Sequence, residues 1–199
     1  MRGPGVKGSG IEATERRTIS DFSNVSVNGA YTIFLNCGSA PSLTITGDDN
    51  LLPLIKNEVQ NGTLKIYSAR PVSPKIPIVV HLTTRSVSQV VSDGASTIHI
   101  ENDSTTSLSL SINGSGNMDA AGSGERAEYT VNGAETFSAD EFQAREVAVT
   151  INGTGTATVY SSESLEATVV GAGTVSYYGN PGSVKRNITG VGSIVRKNP

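Results

Sequence analysis

The sequence predicts an all-β fold, a right-handed parallel β-helix-like solenoid with coils of about 19 residues and a short helical excursion near residues 48–58. Three observations carry that expectation. Gly94, Gly114, Gly133, Gly153, Gly171 and Gly190 follow one another at spacings of 20, 19, 20, 18 and 19 residues. Apolar and polar residues alternate at period two on both sides of each glycine, the pattern of half-buried strands and not of helices. Aromatic residues make up only 5% of the chain and Trp is absent, so the core has to be assembled from thin layers of Val, Ile, Leu and Ala.

Aligned on the glycine, the repeats form columns. Two residues before it stand Ser92, Ile112, Val131, Ile151, Val169 and Ile188; four before it stand Val90, Leu110, Tyr129, Val149, Ala167 and Arg186. Four after it stand Ile98, Met118, Phe137, Ala157, Val175 and Ile194; six after it stand Ile100, Ala120, Ala139, Val159, Tyr177 and Arg196. Each repeat reads as strand, glycine corner, strand, loop. One repeat cannot bury its apolar face alone, and in-register parallel stacking supplies the missing cover. The residue before the glycine is Asp93, Asn113, Asn132, Asn152, Val170 or Thr189. Asn and Asp tolerate left-handed backbone and Gly adopts it freely, as a tight corner requires. Each Asn-Gly is also a hairpin signal, but hairpins need no constant spacing, which favours stacking. Ile112, Val131, Ile151, Val169 and Ile188 are expected as one buried column.

The same frame appears earlier, with Val25 and Val27 before Gly29 and Ile33 and Leu35 after it. Leu43 and Ile45 then precede Gly47, 18 residues on, and the period breaks. Asp48-Asp49-Asn50-Leu51-Leu52-Pro53-Leu54-Ile55 reads as a short helix with an Asp or Asn cap. Asn61-Gly62 marks a turn, residues 64–67 a strand, residues 70–77 with three prolines a loop or edge, and residues 78–82 a strand. The expected organisation is a disordered segment 1–10, an irregular N-terminal β part with the short helix at 11–85, and regular coils at 86–199 continuous with it as one solenoid.

Composition and motifs exclude several function classes. A net charge of −3 leaves no nucleic-acid footprint. No apolar run approaches the roughly 20 residues of a membrane-spanning helix. Cys37 is the single cysteine, so no internal disulfide forms, and it reads as a structural thiol. His81 and His99 alternate with apolar neighbours and point outward, without the clustered partners a zinc site needs. Glycoside hydrolysis needs two carboxylates about one bond. Glu135 and Glu141 share no column with a second acid in an adjacent coil, and Asp48-Asp49 is explained as a helix cap. Gly114–Gly116 and Gly122–Gly124 lack the helix and Lys of a phosphate loop. No catalytic, cofactor-binding or metal-binding residue is therefore assigned, no cofactor is expected, and the protein reads as no enzyme. Binding residues stay unassigned. Charge is unevenly placed: residues 119–166 carry nine acids against Arg126 and Arg145, and residues 167–199 carry Lys185, Arg186, Arg196 and Lys197 with no acid. Arg186 and Arg196 take interior positions of the last repeat, so residues 184–199 are expected as a solvent-open terminal cap whose charges discourage a further strand.

Arg17-x-x-x-x-Phe22-x-x-Val25, Ile45-x-Gly47-Asp48-x-Asn50-Leu51, Asn61-Gly62-x-Leu64-x-Ile66 and the serial Asn-Gly-x-Gly steps together resemble the bacterial head GIN domain family, described as auto-transporter adhesins, over residues 11–199. The resemblance implies a β-helix-like fold, export from the cytoplasm and a role in adhesion. The expected function is a non-catalytic binding or adhesion module in the periplasm, at the outer membrane or outside the cell, with a glycan, envelope polymer or protein as ligand. Export implies a signal peptide that this chain does not carry. The alternative is a structural protein self-associating through solenoid ends or faces into homo-oligomers; a polysaccharide lyase or hydrolase ranks below both.

Overall fold

The corner glycines adopt backbone angles that other residues avoid: φ is +113° at Gly94, +126° at Gly114, +131° at Gly133, +125° at Gly153, +122° at Gly171 and +116° at Gly190. The carbonyl of one corner accepts the N–H of the residue after the next corner. Ser115 donates to Gly94, Thr154 to Gly133, Ala172 to Gly153 and Val191 to Gly171, all at 3.0 Å. The parallel ladder thus turns the corner without a break. The same approach leaves no space for a side chain, because a Cβ at Gly114, Gly153, Gly171 or Gly190 would collide with the preceding corner's carbonyl oxygen.

The computed structural model describes residues 4–198. Its strands are β1 (Val6–Lys7), β2 (Glu12–Arg17), β3 (Asn24–Gly29), β4 (Thr32–Cys37), β5 (Ser42–Asp48), β6 (Ile55–Gln60), β7 (Thr63–Ser68), β8 (Val72–Ser73) and β9 (Val79–Thr84), then β10 (Gln89–Gly94), β11 (Thr97–Gly114), β12 (Asn117–Gly133), β13 (Thr136–Gly153), β14 (Thr156–Gly171), β15 (Thr174–Tyr178), β16 (Ser183–Gly190) and β17 (Ser193–Arg196). From β10 onward every pairing is parallel and in the glycine register, so that Gly94, Gly114, Gly133, Gly153, Gly171 and Gly190 face each other in turn. The result is a β-solenoid of about five turns.

The N-terminal part orders differently in space than in sequence. β3 and β4 stack directly on β10 and β11, and Gly29 faces Gly94. β7 and β9 then cover β3 and β4 from the other side. The coil of residues 24–37 is therefore sandwiched between levels that both come later in the chain. Gly47 is no corner, because β5 runs antiparallel to β9 and β2. Asn61-Gly62 does make a hairpin: both residues have positive φ, +52° and +75°, and β6 returns antiparallel as β7.

Two expectations are corrected here. The helix near 48–58 shrinks to one 3-10 turn, Leu52–Leu54, with Leu51 at its cap and no side-chain capping bond. Residues 55–60 are drawn into β6 instead, and Arg17 holds the turn by donating to Leu52 O at 2.7 Å and Ile55 O at 2.6 Å. Asp48 is buried and binds the N-terminal segment and the loop before β9: it accepts N–H from Gly10 at 2.7 Å and from Lys75 and Ile76 at 3.0 Å. Burial alone would raise its pKa; the backbone N–H groups outweigh that and hold it below the usual carboxylate value. Asn50 adds bonds to Ser9 N and Lys7 O at 2.9 and 2.8 Å. Residues 4–10, expected to be disordered, are fixed by these bonds and by pairing of Val6 and Lys7 with Val72 and Ser73; residues 1–3 of that expected segment lie outside the described residues.

The predicted columns supply most of the core of the regular coils, joined by Phe142 and Ala144 outside them. Ile112, Val131, Ile151 and Val169 are at most 1% exposed. Ile188 stays in register with Val169 but is 44% exposed, because no further coil covers it. Arg186 leans back over the last buried layer, with its guanidinium 5.8 Å from the Tyr177 ring centre and 2.8 Å from the Tyr177 hydroxyl. β16 is exposed along nearly its whole length.

The contrast between these two isoleucines is testable. Ile151→Asp buries an unpaired charge at a cost of several kcal/mol or more, and should prevent folding. Ile188→Asp should stay within about 1 kcal/mol of the parent. Soluble yield and thermal unfolding by circular dichroism check both; equal behaviour of the two variants would contradict the stacked core.

Candidate functional site

Period-two alternation turns every second side chain outward, so the surface is a set of columns spaced about 4.8 Å per coil. Beside the corner, Asn113 Nδ2 donates to Asp93 Oδ1 at 3.0 Å, Asn132 to Asn113 at 2.7 Å and Asn152 to Asn132 at 2.7 Å. These amide dipoles align toward the Asp93 carboxylate and polarise one another. On the other face His81, Phe34, His99 and Asp119 are register partners in successive levels. Phe34 stacks between the two imidazoles at 5.1 and 5.0 Å, and His99 Nδ1 lies 2.6 Å from Asp119 Oδ2.

Four of the nine acids of residues 119–166, Glu125, Glu146, Glu163 and Glu166, are tied to Arg or Lys one coil away. Arg145 bridges Glu125 at 3.1 Å and Glu163 at 2.7 Å, Arg126 meets Glu146 at 2.8 Å, and Lys185 meets Glu166 at 3.5 Å. These pairs are exposed and each contributes within about 1 kcal/mol. A shallow groove of about 520 Å³ runs over the last two pairs, with Glu128 and Ala148 in its lining.

The residues weighed in the sequence fall as follows. His81 and His99 point outward but sit on opposite faces of one phenyl ring, so they cannot converge on one ion. Among the described residues no group of three or more His, Cys, Asp or Glu could hold a metal ion. Cys37 is buried; burial and the neighbouring Asp103 carboxylate push its thiol up to about 12, so it is neutral at physiological pH. Gly116, Gly122 and Gly124 are glycine because the carbonyls of Ser96, Asp103 and Thr105 occupy the space of their side chains, with the Phe142 ring also 3.1 Å from a Cβ at Gly124. Glu141 faces Ala121 across the sheet.

A second concavity, of about 570 Å³, is lined by Asp140, Tyr160, Tyr178, Gly179, Asn180 and Arg196. Tyr160 and Tyr178 are register partners in β14 and β15, both partly exposed. The Tyr160 ring leans across Gly179, where a Cβ would lie 3.3 Å from Tyr160 Cε2. Arg196 leaves the interior position of its column and donates to Asn180 Oδ1 at 2.8 Å. Sequence reasoning missed this cleft. Its signal was present: Asp140, Tyr160 and Tyr178 each stand seven residues after a corner glycine, Gly133, Gly153 and Gly171.

The family described as "Putative auto-transporter adhesin, head GIN domain" matches residues 21–181, and the chain belongs to it. No curated protein matches the chain in sequence. Among solved structures, the fold is similar to a putative adhesin from Bacteroides fragilis at 22% identity and a TM-score of 0.73, covering 97% of this chain and 100% of that one. It is similar to a putative adhesin from Parabacteroides merdae at 22% identity and 0.57, covering 98% and 100%. It is also similar to a putative lipid binding protein from Parabacteroides distasonis at 21% identity and 0.62, covering 97% and 99%. At these identities the likeness is one of fold. No helix among the described residues is long and apolar enough to cross a membrane.

Among the corners from Gly94 to Gly190, two residues, Ser96 and Glu135, depart from the pattern, and only Glu135 carries a charge there. Two positions after the corner stand Gly116, Gly155, Gly173 and Gly192, but Glu135 takes that place after Gly133. It is 2% exposed, its carboxylate is folded back against Gly133, and neither oxygen has a hydrogen-bond partner. Ser96, in the same column, instead accepts from Tyr31 N at 3.1 Å and donates to Gly29 O at 2.9 Å. Unpaired buried acceptors cost about 1–3 kcal/mol, so Glu135→Ser should raise stability by an amount in that range. Chemical denaturation measures it, and a lower midpoint would contradict the reading of Glu135 as a liability.

Proposed function

We propose that this head GIN domain is a non-catalytic adhesin-type binding module, exported to the periplasm, the outer membrane or the cell exterior, that engages a glycan, envelope polymer or protein without a cofactor. The observation that carries the reading is the outer surface itself. Its side chains are tied to one another along the axis, through the Asp93–Asn152 amide ladder and the Arg145 and Arg126 ion pairs. Such a surface is ordered before a ligand arrives, which lowers the entropy cost of binding. The same pairing engages Glu125, Glu146, Glu163 and Glu166, and a general acid or base must reach its proton directly. The family description supports an adhesive role. Extended, repetitive surfaces are what solenoids offer to partners.

A second reading is favoured by one observation: the last coil exposes Val191 at 86% and Ile188 at 44%, which fits self-association through that end. Light scattering over a range of concentrations separates it, by a mass that rises with concentration.

The binding reading is tested by incubating the labelled protein with isolated bacterial envelopes and with soluble polysaccharides. Saturable retention with no new reducing ends is expected. Release of reducing ends, or no retention on any surface, would overturn it.

A further inference from the structure

We infer that the tyrosine cleft near the C-terminal end is a carbohydrate subsite, which takes a short, uncharged oligosaccharide lying parallel to the solenoid axis. The inference rests on the binding-module reading and gives it a place and a ligand class.

The cleft is built by the repeat. Tyr160 and Tyr178 occupy one outward column, a single coil apart, with Asp140 at the equivalent step of the coil before them. Two partly exposed phenol rings on neighbouring coils supply apolar faces with a polar tip, the side-chain type that covers area at low entropy cost and still hydrogen-bonds. Beside the Tyr160 ring lies Gly179, the one lining residue without a side chain, which leaves that space open. The volume, about 570 Å³, lies in the range of roughly 300–1,000 Å³ typical of small-ligand sites.

The polar groups define the chemistry. Asp140 only accepts hydrogen bonds, Arg196 only donates, and Asn180 does both. Asn180 Oδ1 already holds one arm of Arg196 at 2.8 Å, which leaves the Asn180 amide N–H groups and the remaining guanidinium N–H groups for a ligand. One carboxylate and one guanidinium stand at opposite ends of the lining, so no single sign of ligand charge suits the whole cleft. Vicinal hydroxyls, which donate and accept at adjacent atoms, match this set. From the coil of Asp140 to that of Arg196 is three strand spacings, about 14 Å, the reach of a short oligosaccharide. An acyl chain fits less well, because polar groups stand at both ends of the cleft and it is open to solvent.

The chain has six Tyr and no Trp, and Tyr31, Tyr129 and Tyr177 are buried. Tyr67 is exposed, and all four tyrosines outside the cleft also emit, so the ligand-dependent change is read as the parent's signal minus that of the Tyr160→Ala/Tyr178→Ala double variant, with the affinities of all variants taken from titration calorimetry. Titration with neutral hexose and N-acetylhexosamine tri- and tetrasaccharides should give saturable quenching for at least one member of the set. Tyr178→Ala and Tyr160→Ala should each weaken that binding about tenfold or more. Asp140→Ala, at the cleft wall and away from the core, should do likewise and guards against a misfolded tyrosine variant. Tyr67→Ala, in β7 at the far end of the solenoid, should leave the affinity unchanged. No quenching by any sugar at millimolar concentration, equal binding by Asp140→Ala, or preferential binding of a fatty acid would overturn the proposal. Envelope retention of the Tyr160→Ala/Tyr178→Ala double variant separates the two levels. If it is retained like the parent, the subsite is wrong and the binding module stands; if the parent itself is not retained, the module reading fails.

Discussion

The structure depends on one close approach, that of a carbonyl oxygen to the α-carbon of the next corner glycine. A parallel sheet can wrap into a coil only if its ladder continues through the bend. The corner carbonyl does this by bonding to the residue beyond the glycine above it, and the bond brings the oxygen into the volume a Cβ would fill. Positive φ and missing side chain are then required together. Once the corner is set, the period of about 19 residues follows. Ile, Val and Ala columns fall inward and Asn, Thr and charged columns fall outward.

That constraint also explains which parts of the fold were legible in the sequence. Residues 86–190 repeat one local rule, and a rule applied six times is visible as a spacing. The N-terminal part has no such rule, because its geometry comes from contacts distant in sequence. Asp48 binds Gly10, Lys75 and Ile76, and no window around Asp48 shows those partners. Asp-Asp-Asn before an apolar run carries the signature of a helix cap, but the antiparallel pull of β7 on residues 55–60 prevailed over local preference. Ile188 sits in the right column and fails to be buried for a simpler reason: a column has an end, and periodicity does not mark it.

The residues that carry the family resemblance turn out to serve the fold. Arg17 holds the 3-10 turn, Phe22 and Leu51 are buried, Asp48 and Asn50 fasten the N-terminal segment, and the glycines turn corners. They say how the domain is built and not what it binds. The tyrosine cleft lies on outward positions that the corner leaves free to vary. It was legible only as Asp140 and two tyrosines at one offset, a signal that stays ambiguous until Gly179, Asn180 and Arg196 are seen around it. A rigid periodic scaffold with its individuality on outward columns suits a module that displays a surface.

The central claim is tested most directly by Gly153→Ala, with Thr154→Ala at the same exposed corner as the reference. Alanine at φ near +125° is strained, and its Cβ would meet the Gly133 carbonyl. Strain of this kind costs about 1–3 kcal/mol before any collision is counted. Equilibrium denaturation should show Gly153→Ala destabilised by at least about 2 kcal/mol, or unfolded, with Thr154→Ala within about 0.5 kcal/mol of the parent. A Gly153→Ala protein that unfolds at the same denaturant midpoint as Thr154→Ala would contradict the account.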